Sequence, residues 1–269
     1  MPASRVFGDR IDSRTGLRRW LVPTSLRWTR LAAPLLLLQA AVPGVPRAVP
    51  VQPLRLVMVD VEGGAAMLLV TPQGRSVLID AGWPSGFRGA DPSQSSATRI
   101  MAATRALGVN RIDYLIVTHY HLDHVGGVAD LLARIPVGTV IDHGPNRELP
   151  AAGAAPGPND AAALYARYEG AIAAHPHRIV KPGERVVTGS LVIDIVAADR
   201  AVLVRKGRSG AGCADARLAD QGNGGEENPR AIGIVAHFGA VRIVSLADVT
   251  ADVEWGCSAQ RTGSAGPIC

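Results

Sequence analysis

Three cysteines in 269 residues, none in a C-x-x-C spacing, exclude a zinc ribbon and a dithiol redox motif. Cys213, Cys257 and Cys269 leave room for one disulfide in an exported chain, most simply Cys213 with Cys257, provided their Cα atoms lie close. Aromatic residues are scarce as well, at 4%, so Ala, Val, Leu and Ile must fill the interior. Charged residues reach only 19% against 47% apolar, which excludes a disordered chain and fits one sizeable globular domain. No repeat of solenoid period is present. The apolar run 31–42 falls short of the roughly 20 residues that a membrane span requires.

Positive charge away from the N-terminus is also missing. Of the net charge of +5, residues 1–30 carry Arg5, Arg10, Arg14, Arg18, Arg19, Arg27 and Arg30 against Asp9 and Asp12, and the remainder is close to neutral. The basic balance therefore gives no reason to expect a stable nucleic-acid partner. A basic segment, a short apolar run and small residues after it describe a secretory signal, with processing between Ala40 and Ala48. Arg18-Arg19 are compatible with a twin-arginine signal. The expected location is periplasmic or secreted, with no membrane span in the mature domain. The alternative is a misassigned start codon, which would leave the chain cytoplasmic.

Residues 1–50 thus read as export signal and Pro-rich linker, 54–250 as the domain, and 251–269 as an irregular tail. Segments 54–61, 65–71 and 76–80 have strand character, the last two joined by the turn Pro72-Gln73-Gly74-Arg75. A polar loop, 83–95, precedes a helix over 97–107, where Ile100, Met101, Thr104 and Leu107 recur at helical spacing and Gly108 closes the run. A buried strand, 112–117, is followed by a helix over 128–134 and a strand over 137–141. Residues 144–159, rich in Pro, Gly and Ala, form a loop over the site. Asp160 caps a helix to about 174, and strands follow at 185–188, 191–197, 231–238 and 240–247. The stretch 207–227 is Gly-rich and reads as a mobile insert. Hairpins interleaved with helices imply an α/β architecture of two sheets face to face with helices outside.

The chemistry gathers after strand 112–117, in Thr118-His119-Tyr120-His121-Leu122-Asp123-His124. Four metal-ligating side chains fall within six residues of a chain with seven histidines. Imidazole and carboxylate are ligands that zinc accepts. In an extended segment His119, His121 and Asp123 share a face while His124 points elsewhere, which suits a second metal beside the first. Gly126-Gly127 then allow a tight turn.

This pattern, H-x-H-x-D-H, resembles the metallo-β-lactamase superfamily of metallohydrolases. Leu78-Ile79-Asp80-Ala81-Gly82 resembles that family's strand ending in aspartate and glycine. Asp60-Val61-Glu62-Gly63-Gly64-Ala65-Ala66 resembles the opening turn of the branch that includes the hydrolase domain of DNA-uptake competence proteins. Ile243-Val244-Ser245-Leu246-Ala247-Asp248 resembles the strand delivering a metal-bridging aspartate, with Ala247 where the family usually has glycine. The resemblance implies an αββα sandwich. It implies one or two zinc ions, with His119 and His121 on the first, Asp123 and His124 on the second, and Asp248 bridging them. Asp123 would also hold the attacking water and take its proton, and Asp80 would brace the histidine loop. His143 is the first choice for the remaining ligand of the first zinc. His175 and His177 read as surface residues, and His237, in an apolar strand, as a core histidine. The family usually continues to a last histidine, and 251–269 contains none. The expected sandwich is therefore incomplete at its C-terminus.

The function so implied is zinc-dependent hydrolysis of a small ester, amide or phosphodiester, with the competence-like opening favouring the phosphodiester. The alternative is a metal-binding remnant, catalytically impaired by the missing ligand.

Overall fold

The computed structural model describes residues 53–148, 157–203 and 225–258, with side chains in the last stretch through Glu254. The export segment, most of the linker, most of the insert 207–227, and Cys213 and Cys269 lie outside them, as does the side chain of Cys257. In chain order the elements are β1 (Arg55–Met58), β2 (Met67–Val70), β3 (Ser76–Ile79), α1 (Ser96–Ala106), β4 (Ile112–Ile116), α2 (Leu122–Val125), α3 (Val128–Leu132) and β5 (Val137–Asp142). They continue as α4 (Ala161–Ile172), β6 (His177–Ile179), β7 (Arg185–Thr188), β8 (Leu191–Ala198), β9 (Ala201–Val202), β10 (Gly233–Phe238), β11 (Val241–Ser245) and α5 (Ala251–Ser258).

Strands β1 to β6 form one sheet in that order, antiparallel from β1 to β3 and parallel from β3 to β6. The second sheet is antiparallel, ordered β11-β10-β8-β7, with β9 beside β8. Period-two alternation along β2 builds the layers. Leu68 and Val70 face the helices, packing with Leu78, Leu115 and Val140 against Ile100, Leu131 and Leu164. Met67 and Leu69 face the other way and pack with Ile116 and Ile141 against Ile193, Ile195 and Ile234 of the second sheet. Beyond that sheet, Val253 of α5 rests on Ala197. The layers run helix, sheet, sheet, helix, the architecture read from the sequence.

Caps and turns behave as their residue types require. Ser95 accepts from the Thr98 amide at the start of α1, and Asp160 accepts from the Ala163 amide at the start of α4. Three local expectations change. The first strand stops at Met58, because the chain bends through Gly63 at φ 87° before it re-enters the sheet. Residues 251–258 form α5 where an irregular tail is expected; among the described side chains, Val253 of the helix packs on Ala197 with Val249 beside it. His237 is 32% exposed at its side chain and pairs with Asp194 Oδ2 at 3.2 Å, so it is no core histidine. Among the described residues β11 lies at the edge of the second sheet, with Val241 and Val244 exposed. Among the described residues no helix is long and apolar enough to cross a membrane.

Two glycines give opposite predictions. A Cβ on Gly127 would lie 2.2 Å from the Ala81 carbonyl oxygen, at the close approach of the histidine loop to the turn after β3. Gly127→Ala should therefore destabilise the domain by about 1–3 kcal/mol in urea unfolding. Gly170, exposed near the end of α4, has open space around it, and Gly170→Ala should stabilise by up to about 1 kcal/mol.

Candidate metal centre

Parallel strands end side by side, and their C-terminal ends carry the site. Asp80 follows β3, Thr118 and His119 follow β4, and His143 follows β5. From the second sheet, the Ile232 amide donates to the Thr118 carbonyl at 3.0 Å, which pins the start of β10 against the histidine loop. Asp248 follows β11 through Ala247 in the left-handed region at φ 49°, a conformation glycine adopts at lower cost.

The loop is not extended throughout. His121 is extended at φ −73°, ψ 152°, and the chain then turns helical at Leu122. The expected shared face of His119, His121 and Asp123 gives way to a different convergence. One ligand atom each from His119, His124 and Asp248 lie within 4.8 Å of one another. His124 Nε2 is 3.4 Å from Asp248 Oδ1 and 3.8 Å from Asp123 Oδ2, which places Asp123 at the rim. The His121 ring lies edge-on to His119 with centroids 4.7 Å apart. His143 stands further round, its ring 4.8 Å from that of Tyr120.

Hydrogen bonds fix which ring nitrogens face the site. Buried Asp80 accepts from the Thr118 amide, from Thr118 Oγ1 and from His124 Nδ1, each at 2.8 Å. With its proton given to Asp80, Thr118 Oγ1 accepts from His119 Nδ1 at 3.1 Å. That chain leaves His119 Nε2 as the lone-pair nitrogen, and it is buried without a partner. Burial, reinforced by the imidazoles of His124, His121 and His143, holds the His119 pKa well below the ordinary histidine value. A neutral imidazole with an unmet lone pair, between a second imidazole and a carboxylate, is the donor set a divalent metal takes. His124 differs. Burial works against its charge, but hydrogen bonds to Asp248 and Asp80 outweigh burial and push its pKa up to about 10. The same contact to His124 holds the Asp248 carboxyl below its usual range.

Two carboxylates at the site are not among the residues read from the sequence. Glu148 Oε2 lies 3.2 Å from His121 Nε2, and Glu227 Oε2 lies 3.1 Å from His143 Nε2. Both fall in stretches read as loop and insert, where composition carries no periodic signal. His177 is exposed, as expected, and pairs from β6 with buried Asp142 at 2.8 Å. Beside the site, Trp83 and Phe87 stack at 4.6 Å on the rim of a cavity of about 460 Å³ lined also by Val61, Glu62, Pro84 and Arg99.

Residues 59–198, just over half of the chain, match the family model described as the metallo-beta-lactamase superfamily. Among solved structures, a metallo-beta-lactamase with a HARLDQ motif from Cronobacter sakazakii is 20% identical, over 71% of this chain and 60% of that one, with a TM-score of 0.39. MEM-A1, a subclass B3 metallo-beta-lactamase from a soil metagenome library, is 18% identical over 70% and 58%, with a TM-score of 0.40. YhfI, a metallo-beta-lactamase fold protein from Bacillus subtilis, is 12% identical over 73% and 63%, with a TM-score of 0.40. The chain thus spans less than two thirds of the length of these structures. No curated protein matches.

Asp80→Ala removes the acceptor of three buried donors at once. It should lower unfolding stability by about 2–4 kcal/mol and divalent-metal affinity by about 10–100-fold, measured by denaturation and by chelator competition. Wild-type metal affinity in that variant would show that Asp80 does not orient the loop.

Proposed function

The chain belongs to the metallo-beta-lactamase superfamily, and on that premise we propose that it is a zinc-dependent hydrolase whose preferred substrate is a small phosphodiester. The observation that carries the reading is the buried, unpartnered Nε2 of His119, converging with His124 and Asp248. His119, His121 and His143 would hold a first zinc, Asp123 and His124 a second, with Asp248 between them. The bound cations would supply charge neutralisation and a water activated near neutral pH.

The chain's own residues supply the rest. Asp123, 31% exposed at its side chain and facing His124 Nε2, would orient the attacking water and accept its proton. Asp80 and Thr118 keep the His119 and His124 rings from rotating when substrate enters. The cavity beside Trp83 and Phe87 would take the apolar body of the substrate. Support for the phosphodiester comes from the opening Asp60–Ala66 and its competence-like pattern. The glycines of that pattern have a structural reason here. A Cβ on Gly64 would lie 2.6 Å from the Asp123 carbonyl oxygen, and the Ala65 amide donates to that same oxygen at 2.9 Å. The opening turn therefore sets the height of Asp123 above the sheet.

The test is zinc content of the purified chain together with turnover of bis-(p-nitrophenyl) phosphate and nitrocefin. Bound zinc and faster phosphodiester cleavage are expected. His121→Ala and Asp123→Ala should abolish turnover and lower zinc content while the domain stays folded, since neither leaves a core cavity. Tight zinc without turnover of any ester, amide or phosphodiester would replace the enzyme with a metal-binding remnant. Absence of zinc would remove both readings.

A further inference from the structure

The histidine loop is held from a second side, by two glutamates on two separate segments. Glu148 comes after β5 and Glu227 before β10. Glu148 Oε2 accepts from His121 Nε2 at 3.2 Å, from the Glu226 amide at 3.1 Å and from the Glu227 amide at 3.2 Å. Glu227 accepts from His143 Nε2 at 3.1 Å, from the Tyr120 amide at 3.3 Å and from the Arg147 amide at 3.0 Å. Each carboxylate therefore holds one imidazole and, in addition, the backbone beside the other carboxylate.

Burial makes this arrangement costly to lose. Glu227 has no solvent exposure, and a carboxylate survives there only because donors meet it. Burial works against its charge, and the hydrogen bonds from His143, Arg147 and Tyr120 outweigh burial and keep its pKa below the usual carboxylate range. When Nε2 of each imidazole donates outward, Nδ1 is left with the lone pair. For His143 that Nδ1 is buried and has no partner.

We propose that Glu148 and Glu227 form a reciprocal latch that positions His121 and His143 as a coupled pair, both presenting Nδ1 to the metal. The proposal rests on the metal-binding reading above, and it adds that neither imidazole is oriented alone. Loss of the Glu148 carboxylate frees His121 and also the amides that seat Glu227, so His143 loses its partner too. Glu148 and Glu227 are positioning residues and touch no substrate.

The full chain tests this with Glu148→Ala, Glu227→Ala, the double alanine variant and Glu227→Gln, which keeps an acceptor oxygen. Zinc affinity is read by competition with a chromophoric chelator. Each alanine variant should lose about 10–100-fold, the double variant should lose far less than the product of the two, and Glu227→Gln should recover part of the loss. Wild-type affinity in both single variants, or losses that multiply, would overturn the latch. A second readout needs no metal. Proton–nitrogen correlation spectra of the metal-free chain should show the Nε2-protonated tautomer for His121 and His143, and Glu148→Ala should shift the His143 signals. Unmoved His143 signals would overturn the latch by themselves. Failure of the wild-type chain to take zinc would instead count against the functional reading, with the spectra still deciding the latch.

Discussion

A single buried carboxylate organises the site. Asp80 leaves β3 in the left-handed region at φ 59°, where aspartate is tolerated better than most residues, and meets three donors from the histidine loop. Charge-assisted hydrogen bonds are stronger than neutral ones and are shielded here from water. They fix Thr118, and through Thr118 they fix the tautomer of His119. The loop backbone is tied into the same frame, since the Asp80 amide donates to the Ile116 carbonyl and the Ala81 amide to that of His124.

Both sheets depend on that frame. β3, β4 and β5 bring Asp80, His119 and His143 to one edge, and the second sheet meets them through Ile232 and Asp248. Tyr120 ties the site loop to the core, with Leu122 packed against the same cluster. Its ring packs against Tyr165 and Tyr168 of α4 on one side and His143 on the other, and its hydroxyl donates to the Gly144 carbonyl at 2.5 Å. Tilted ring contacts of this kind give α4 a direct bearing on where His143 stands.

Much of this was legible in the sequence where residue type and spacing carry the physics. The alternation of Leu and Val in β2, the Asp160 cap, the glycines after His124 and the buried run of β4 each specify local structure by themselves. The bracing role of Asp80 came from the family resemblance of Leu78-Ile79-Asp80-Ala81-Gly82 and not from spacing. Glu148 and Glu227 were not legible. Their partners lie 27 and 84 residues away along the chain, and nothing in a Gly-rich stretch marks which glutamate folds inward. The convergence of His119 with His124 was missed for a local reason. Alternation holds only in extended chain, and Leu122 begins a helical turn. α5 carries no periodic apolar signal in its sequence, although Val253 packs on Ala197.

The hydrogen bonds that set His119 and His124 run to Asp80 and Thr118, groups already secured by strand pairing, and none of them needs an ion to form. A ligand frame held this way would be set by the fold itself, unlike small zinc domains in which metal binding and folding are one event. Its cation would then be exchangeable cargo on a standing framework, gained or lost according to supply in its surroundings, and the polypeptide would outlast the loss.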